Sequence, residues 1–312
     1  VRAAAPGARP RRLRPGDRVS VVAPCSPVRE EDLRAAIALL GEWGLEAVPG
    51  EHVLARHPSL SYLAGTDTQR AADLRAAWLD PGTAAVLCAR GGDGAHRLLD
   101  HLDFAELRRA PAKAFVGFSD ITALHEAFAV ELGVATVHGP VVALDSFVGD
   151  AEAAGHLRAT LFEPETRTVL RPPGARPLVG GRARGVTIGG TLSVLSDGLA
   201  TPHSRPSARG GLLLLEDVNE HVTRLDRMLT HLLRGGWLEG VAGVLLGSWS
   251  DCGPDLATVH AMLEERLAPL GVPVVAEFGF GHRPGQLTVP LGVPAVLDAD
   301  TATLTLQVPA LV

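Results

Sequence analysis

Ala114-Phe115-Val116-Gly117-Phe118-Ser119-Asp120-Ile121-Thr122-Ala123-Leu124 reads as a strand that runs into a helix with no loop between them. Ala114–Phe118 is short and apolar, as a buried strand is. Ile121, Leu124 and Phe128 then share one face at helical spacing. Similar units lie on both sides. Upstream, Arg18–Ala23 is a strand that stops at Pro24, and Glu31–Trp43 is helical, with Leu33, Ile37, Leu40 and Trp43 on one side. Ala84–Ala89 is a strand that stops at Arg90-Gly91-Gly92, and a helix bearing Leu98, Leu99 and Leu102 follows. Downstream, Val134–Val137 is a strand that stops at His138-Gly139-Pro140. Such alternation predicts a parallel sheet with helices on both faces. Ligands of open parallel sheets bind beyond the carboxyl ends of the strands. Pro24-Cys25-Ser26, Arg90-Gly91-Gly92, Ser119 and His138-Gly139 are therefore expected to converge on one cleft.

The second half has a different texture. Short apolar runs occur at Gly211–Leu215, Val241–Leu246 and Ala302–Val308. One amphipathic helix carries Leu225, Met228, Leu229, Leu232 and Leu233 on one face. The pattern predicts an α/β domain over residues 14–150, a crossover over 151–180, and a smaller, β-rich mixed α/β domain with a curved sheet over 181–312. The first dozen or so residues are expected to form a loose arm.

Composition narrows the function. The chain has 312 residues, 46% of them apolar and 21% charged, the balance of a globular protein. Its net charge of -6 disfavours nucleic acid and anionic membranes as partners. No run of about 18 apolar residues predicts a membrane span, and Val1–Gly16 lacks the apolar core of a secretory signal. Cys25, Cys88 and Cys252 are odd in number and widely spaced, which argues against a disulfide framework and for a reducing, cytoplasmic compartment. No H-E-x-x-H or Cys/His spacing points to a metal, so no metal is expected.

Four segments can carry chemistry. In Phe115–Asp120 a serine sits where a helix begins, beside unpaired N–H groups and the positive end of the helix dipole, a setting suited to an oxyanion. The same residues are more commonly a plain helix cap. Arg90-Gly91-Gly92-Asp93-Gly94 lets backbone approach a ligand closely, or simply turns the chain. It is neither a Walker loop nor a dinucleotide fingerprint. Leu212–Leu215 delivers Glu216, Asp217 and Glu220 from the end of a strand, where an acid can orient a histidine or stabilise the next helix. In Phe278-Gly279-Phe280-Gly281-His282 the flanking glycines leave a histidine open to approach.

Taken together, these segments resemble the LD-carboxypeptidase family of serine peptidases, which also contains the microcin C self-immunity hydrolases. The matching blocks run in order from about Arg14 to Leu306. They include Gly16-Asp17-Arg18-Val19, Arg70-Ala71-Ala72-Asp73-Leu74, Arg90-Gly91-Gly92, Gly117-Phe118-Ser119-Asp120, His138-Gly139-Pro140, Gly189-Gly190, Leu215-Glu216-Asp217, Asp226-Arg227-Met228-Leu229 and Gly281-His282. The resemblance implies a flavodoxin-like N-terminal domain joined to a smaller β-rich one, with a catalytic triad assembled across the two. It implies Ser119 as nucleophile, His282 as general base and then acid, and Glu216 as the acid of the triad, with Glu220 in reserve. It also implies oxyanion donors from the backbone of Gly91 and Asp120, a substrate-binding loop at Arg90, Gly92 and Asp93, and a homodimer. The chain departs from the family pattern at Asp93, Val141, Thr191 and Val222-Thr223.

The activity so implied is release of terminal D-alanine from the L,D-amide bond of a muramoyl tetrapeptide in cell-wall recycling. Serine acyl transfer of this kind would need no organic cofactor. The same triad would serve an amidase that cleaves peptidyl- or aminoacyl-nucleotide antibiotics. A reading of another class is a non-catalytic small-ligand-binding protein on this scaffold.

Overall fold

The computed structural model describes residues 3–312. Its first half comprises β1 (Arg18–Val22), α1 (Glu30–Glu42), β2 (Glu46–Pro49), α2 (Asp67–Leu79), β3 (Thr83–Cys88), α3 (Ala95–Leu99), α4 (Phe104–Leu107), β4 (Ala114–Gly117), α5 (Thr122–Ala127), β5 (Thr136–His138), α6 (Asp145–Val148) and α7 (Ala151–Phe162). The second half comprises β6 (Val169–Leu170), β7 (Arg176–Val179), β8 (Arg182–Thr191), α8 (Leu192–Asp197), β9 (Gly211–Val218), α9 (Val222–Arg234), β10 (Gly243–Ser250), α10 (Leu256–Leu267), β11 (Val274–Ala276), β12 (Val289–Leu291), β13 (Pro294–Asp298) and β14 (Thr303–Leu306).

The strands form two sheets. In the first, β1 to β5 are parallel in the order 2-1-3-4-5, the flavodoxin-like order, and the chain reverses direction across the sheet between β1 and β3. Side chains alternate across it. Ala85 and Leu87 of β3 enter one apolar cluster, while Val86 and Cys88 enter the cluster on the other face. Burial on both faces explains why β3 is apolar from Ala84 to Cys88. The second sheet has eight strands in the order β6-β14-β13-β8-β9-β10-β11-β7, parallel from β8 to β11 and antiparallel towards both edges. Leu213 and Leu215 pack on the side of α9 and α10, and Leu212 and Leu214 on the side of Phe278 and Phe280.

Two expectations need correction. The N-terminal segment is not a loose arm. The Gly7 N–H donates to Gly292 O (2.9 Å), that of Ala8 to Gly133 O (2.7 Å) and that of Arg12 to Val312 O (2.7 Å), while Leu13 is buried. Close approach decides it: a side chain on Gly7 would lie 2.4 Å from the backbone of Val134 and Ala135. Val1 and Arg2 lie outside the described residues. Residues 151–180 do more than cross over. Leu157 and Leu161 of α7 join the first core, and β6 and β7 border the second sheet. Conversely, β12 leaves the second half and pairs antiparallel with β5 as a sixth strand of the first sheet. The segment between β11 and β12 is thus tied to the second sheet at one end and to the first at the other.

Candidate active site

β4 ends at Gly117, Phe118 is extended, and Ser119 follows at φ 65° before a turn of 3₁₀ helix leads into α5. A left-handed backbone is costly for serine and turns its side chain sharply outward. Gly117 makes the turn possible, since a Cβ there would lie 2.8 Å from Ile121. The Asp120 carboxylate does not face this site. It accepts the Ala95 N–H at 2.7 Å, at the start of α3. Burial pushes its pKa up.

His282 lies in the segment between β11 and β12. Phe278 and Phe280 bury their rings in the second core, and Gly279 and Gly281 adopt φ 80° and 95°. His282 Nε2 is 3.1 Å from Ser119 Oγ, and its Nδ1 is 2.7 Å from Glu216 Oε2. The His282 backbone N–H also donates to Glu216 Oε2, at 3.3 Å. Phe118 packs against the imidazole, with ring centroids 4.7 Å apart. Ser250 donates its hydroxyl to the His282 carbonyl.

Glu216 is completely buried on β9. Thr191 stands opposite it on β8 and donates its hydroxyl to Glu216 Oε1 at 2.5 Å. Burial alone would raise the Glu216 pKa, but the charge and hydrogen bonding of His282, with help from His138 and Thr191, hold it below the usual carboxylate value. Burial likewise pulls His282 down, and the Glu216 charge and hydrogen bond, with Asp217, carry it above the usual histidine value. The neighbouring Asp217 is pushed up to about 7, by burial and then by the Glu216 charge. It accepts the Ser193 N–H at 2.8 Å.

The sequence-predicted residues thus divide. Ser119, His282 and Glu216 form one hydrogen-bonded line. Glu220 stands apart, in an ion pair with Arg224 at 2.7 Å. Gly91 touches the line: a Cβ on it would lie 2.9 Å from Ser119 Cβ. Gly92 packs against Ser26, and the Asp93 N–H donates to Ser26 Oγ at 3.1 Å while its side chain is exposed. Arg90 donates to the Pro27 carbonyl at 3.0 Å, on the loop after β1. Buried Arg70 ties these loops together through the carbonyls of Pro24 and Gly94. Thr191, Ser250 and Phe118 were not foreseen as parts of the site. Only the strand register shows that Thr191 faces Glu216.

Two clefts share Arg283 and Pro284, and the larger of them is also lined by His282. One, of about 740 Å³, is lined by Phe118, Asp150, Glu152, His282, Arg283 and Gln286. The other, of about 470 Å³, is lined by Ser248, Trp249, Asp251, Glu277 and Arg283 among others. Among the described residues no His/Cys/Asp/Glu cluster is placed to hold a metal. A serine beside an imidazole, itself beside a buried carboxylate, is an arrangement for nucleophilic acyl transfer.

Comparison with known proteins agrees with this chemistry. Residues 19–139 match the LD-carboxypeptidase N-terminal domain and residues 184–297 the C-terminal domain. A Streptomyces coelicolor protein bearing a carboxypeptidase name is 61% identical over 303 residues, 97% of each chain. The murein tetrapeptide carboxypeptidase of Pseudomonas aeruginosa is 33% identical, over 91% of this chain and 94% of its own. The solved structure of MccF in complex with glutamyl sulfamoyl guanosine superimposes with a TM-score of 0.87 over 97% of this chain and 99% of its own, at 21% identity, a likeness of fold.

Proposed function

The chain belongs to the LD-carboxypeptidase family, and from that premise we propose that Ser119, His282 and Glu216 hydrolyse the L,D-amide bond of a muramoyl tetrapeptide and release its terminal D-alanine. The observation that carries the assignment of residues is the line Ser119 Oγ–His282–Glu216, with spacings of 3.1 and 2.7 Å.

His282 Nε2 takes the Ser119 proton as Oγ attacks the scissile carbonyl. Glu216 holds the Nδ1–H tautomer and stabilises the imidazolium. The backbone N–H groups of Gly91 and Asp120 bind the tetrahedral oxyanion, each contributing roughly 3–4 kcal/mol if typical. His282 then gives its proton to the departing D-alanine nitrogen, and water resolves the acyl-enzyme by the reverse proton path. A nucleotide amide is the weaker reading. The aromatic ring of the smaller cleft, Trp249, is only 4% exposed and offers little face for a base to stack on.

The resemblance further suggests a homodimer, which the mass of the purified chain in solution tests. The three cysteines are unpaired and buried, which suits cytoplasmic residence. No helix among the described residues is long and apolar enough to cross a membrane.

The deciding assay incubates the protein with a muramoyl tetrapeptide ending in D-alanine and follows free D-alanine by mass spectrometry. Release by the wild type, lost in Ser119→Ala and His282→Ala, is the expected result. A folded wild type that releases none overturns the substrate assignment.

A further inference from the structure

An enzyme that removes only the last residue of a peptide must distinguish a free carboxylate from a continuing amide. Both clefts carry carboxylates: Asp150 and Glu152 line the one that His282 lines, and Asp251 and Glu277 line its neighbour. An anionic chain end is repelled from such walls unless a cation faces it. Among the described residues Arg283 is the one lysine or arginine lining either cleft, and it lines both.

Its backbone is fixed by a bond from its own N–H to Gly281 O at 2.8 Å. Its side chain is exposed, and its Nε donates to the Pro284 carbonyl at 3.2 Å. Among the described residues neither Nη group has a hydrogen-bond or ion-pair partner. The other arginine of the site loops, Arg90, is turned to Pro27.

The chemistry sets the distance the cation must reach. The leaving nitrogen must come within about 3 Å of His282 Nε2 to be protonated. Its carboxylate is two bonds further on, so the oxygens fall within roughly 6–7 Å of that Nε2. Arg283 follows His282 directly in the chain, and its side chain can span that distance.

We infer that Arg283 binds the free carboxylate of the leaving residue and so confines the enzyme to chain ends. The inference rests on the carboxypeptidase reading above.

The test compares a tetrapeptide ending in D-alanine with the same peptide ending in D-alaninamide, for wild type, Arg283→Ala and Arg283→Lys. Wild type is expected to prefer the acid. Arg283→Ala is expected to lower kcat/KM on the acid by roughly 100-fold and to leave the amide within about 3-fold, erasing the preference. Arg283→Lys should restore part of it, since lysine supplies the charge without the bidentate fork. Equal losses on acid and amide, or no loss on either, overturn the inference while leaving the activity of the wild type intact. A wild type inactive on both peptides instead overturns the proposed function.

Discussion

Glu216 Oε2 receives both the side chain and the backbone of His282, at 2.7 Å from Nδ1 and 3.3 Å from the amide nitrogen. One carboxylate oxygen therefore sets the imidazole's tautomer and its position together, while Thr191 occupies the other oxygen. Glu216→Gln keeps the shape but presents an amide to Nδ1, favouring the wrong tautomer. Its kcat is expected to fall by about 10⁴. Glu220→Gln, which breaks only the ion pair with Arg224, should stay within about 2-fold of wild type. Steady-state rates of D-alanine release decide between the two glutamates.

The same pair fixes the pH profile. His282 must be neutral to act as a base. Burial lowers its pKa, but Glu216 and Asp217 outweigh burial and leave it raised. The acid limb of kcat/KM should thus have its midpoint above about 6.5, with activity lost as pH falls through it. In Glu216→Gln the larger raising charge and its hydrogen bond are gone, leaving burial opposed only by Asp217, so the limb of the residual activity should move to lower pH. A limb that stays in place would show that another group titrates.

The fold was legible because its signals are local. Four parallel strands of the first sheet, β1, β3, β4 and β5, are apolar runs with a proline, glycine or serine just beyond them, and can be read from those stops. β2, Glu-Ala-Val-Pro with no fully buried residue, has no such signal and was missed. β8 was missed as well. Its first half alternates between solvent and partial burial, and Gly189 and Gly190 interrupt its buried half. Ser119, Glu216 and His282 are implied by resemblance and fall at strand ends and between glycines, and the structure brings their side chains into one hydrogen-bonded line. Thr191 and Arg283 could not be found that way. Their places depend on a register between β8 and β9 and on the shape of two clefts, and neither is written in any one segment.

Ser119 holds φ 65° in a chain where glycine would do so without strain. Ser119→Gly and Ser119→Ala should be equally inactive, since both lose Oγ. They should differ in stability. The left-handed backbone costs a residue with a Cβ roughly 1–2 kcal/mol, and glycine loses about 0.5–1 kcal/mol to its freer unfolded chain. Ser119→Gly is therefore expected to be the more stable by about 0.5–1 kcal/mol. Denaturant midpoints of the two variants measure this directly, and equal midpoints would mean that the turn carries no such strain.

The helix that follows Ser119 is also braced from the second half. Arg205 Nε lies 2.6 and 2.8 Å from the two Glu126 oxygens, with only 12% and 6% of the two side chains exposed. Glu126 is on α5, seven residues after Ser119, and Arg205 lies on the loop between α8 and β9. Removing one partner strands a buried charge, so Arg205→Ala should cost about 3–5 kcal/mol. Replacing both, as in Glu126→Gln with Arg205→Ala, strands none and should cost clearly less than the sum of the two single changes. Since the pair steadies α5, Arg205→Ala should also lower kcat on the tetrapeptide more than it raises KM. Additive unfolding energies across this cycle would mean that the two side chains are solvated separately and that α5 is held by its apolar face alone.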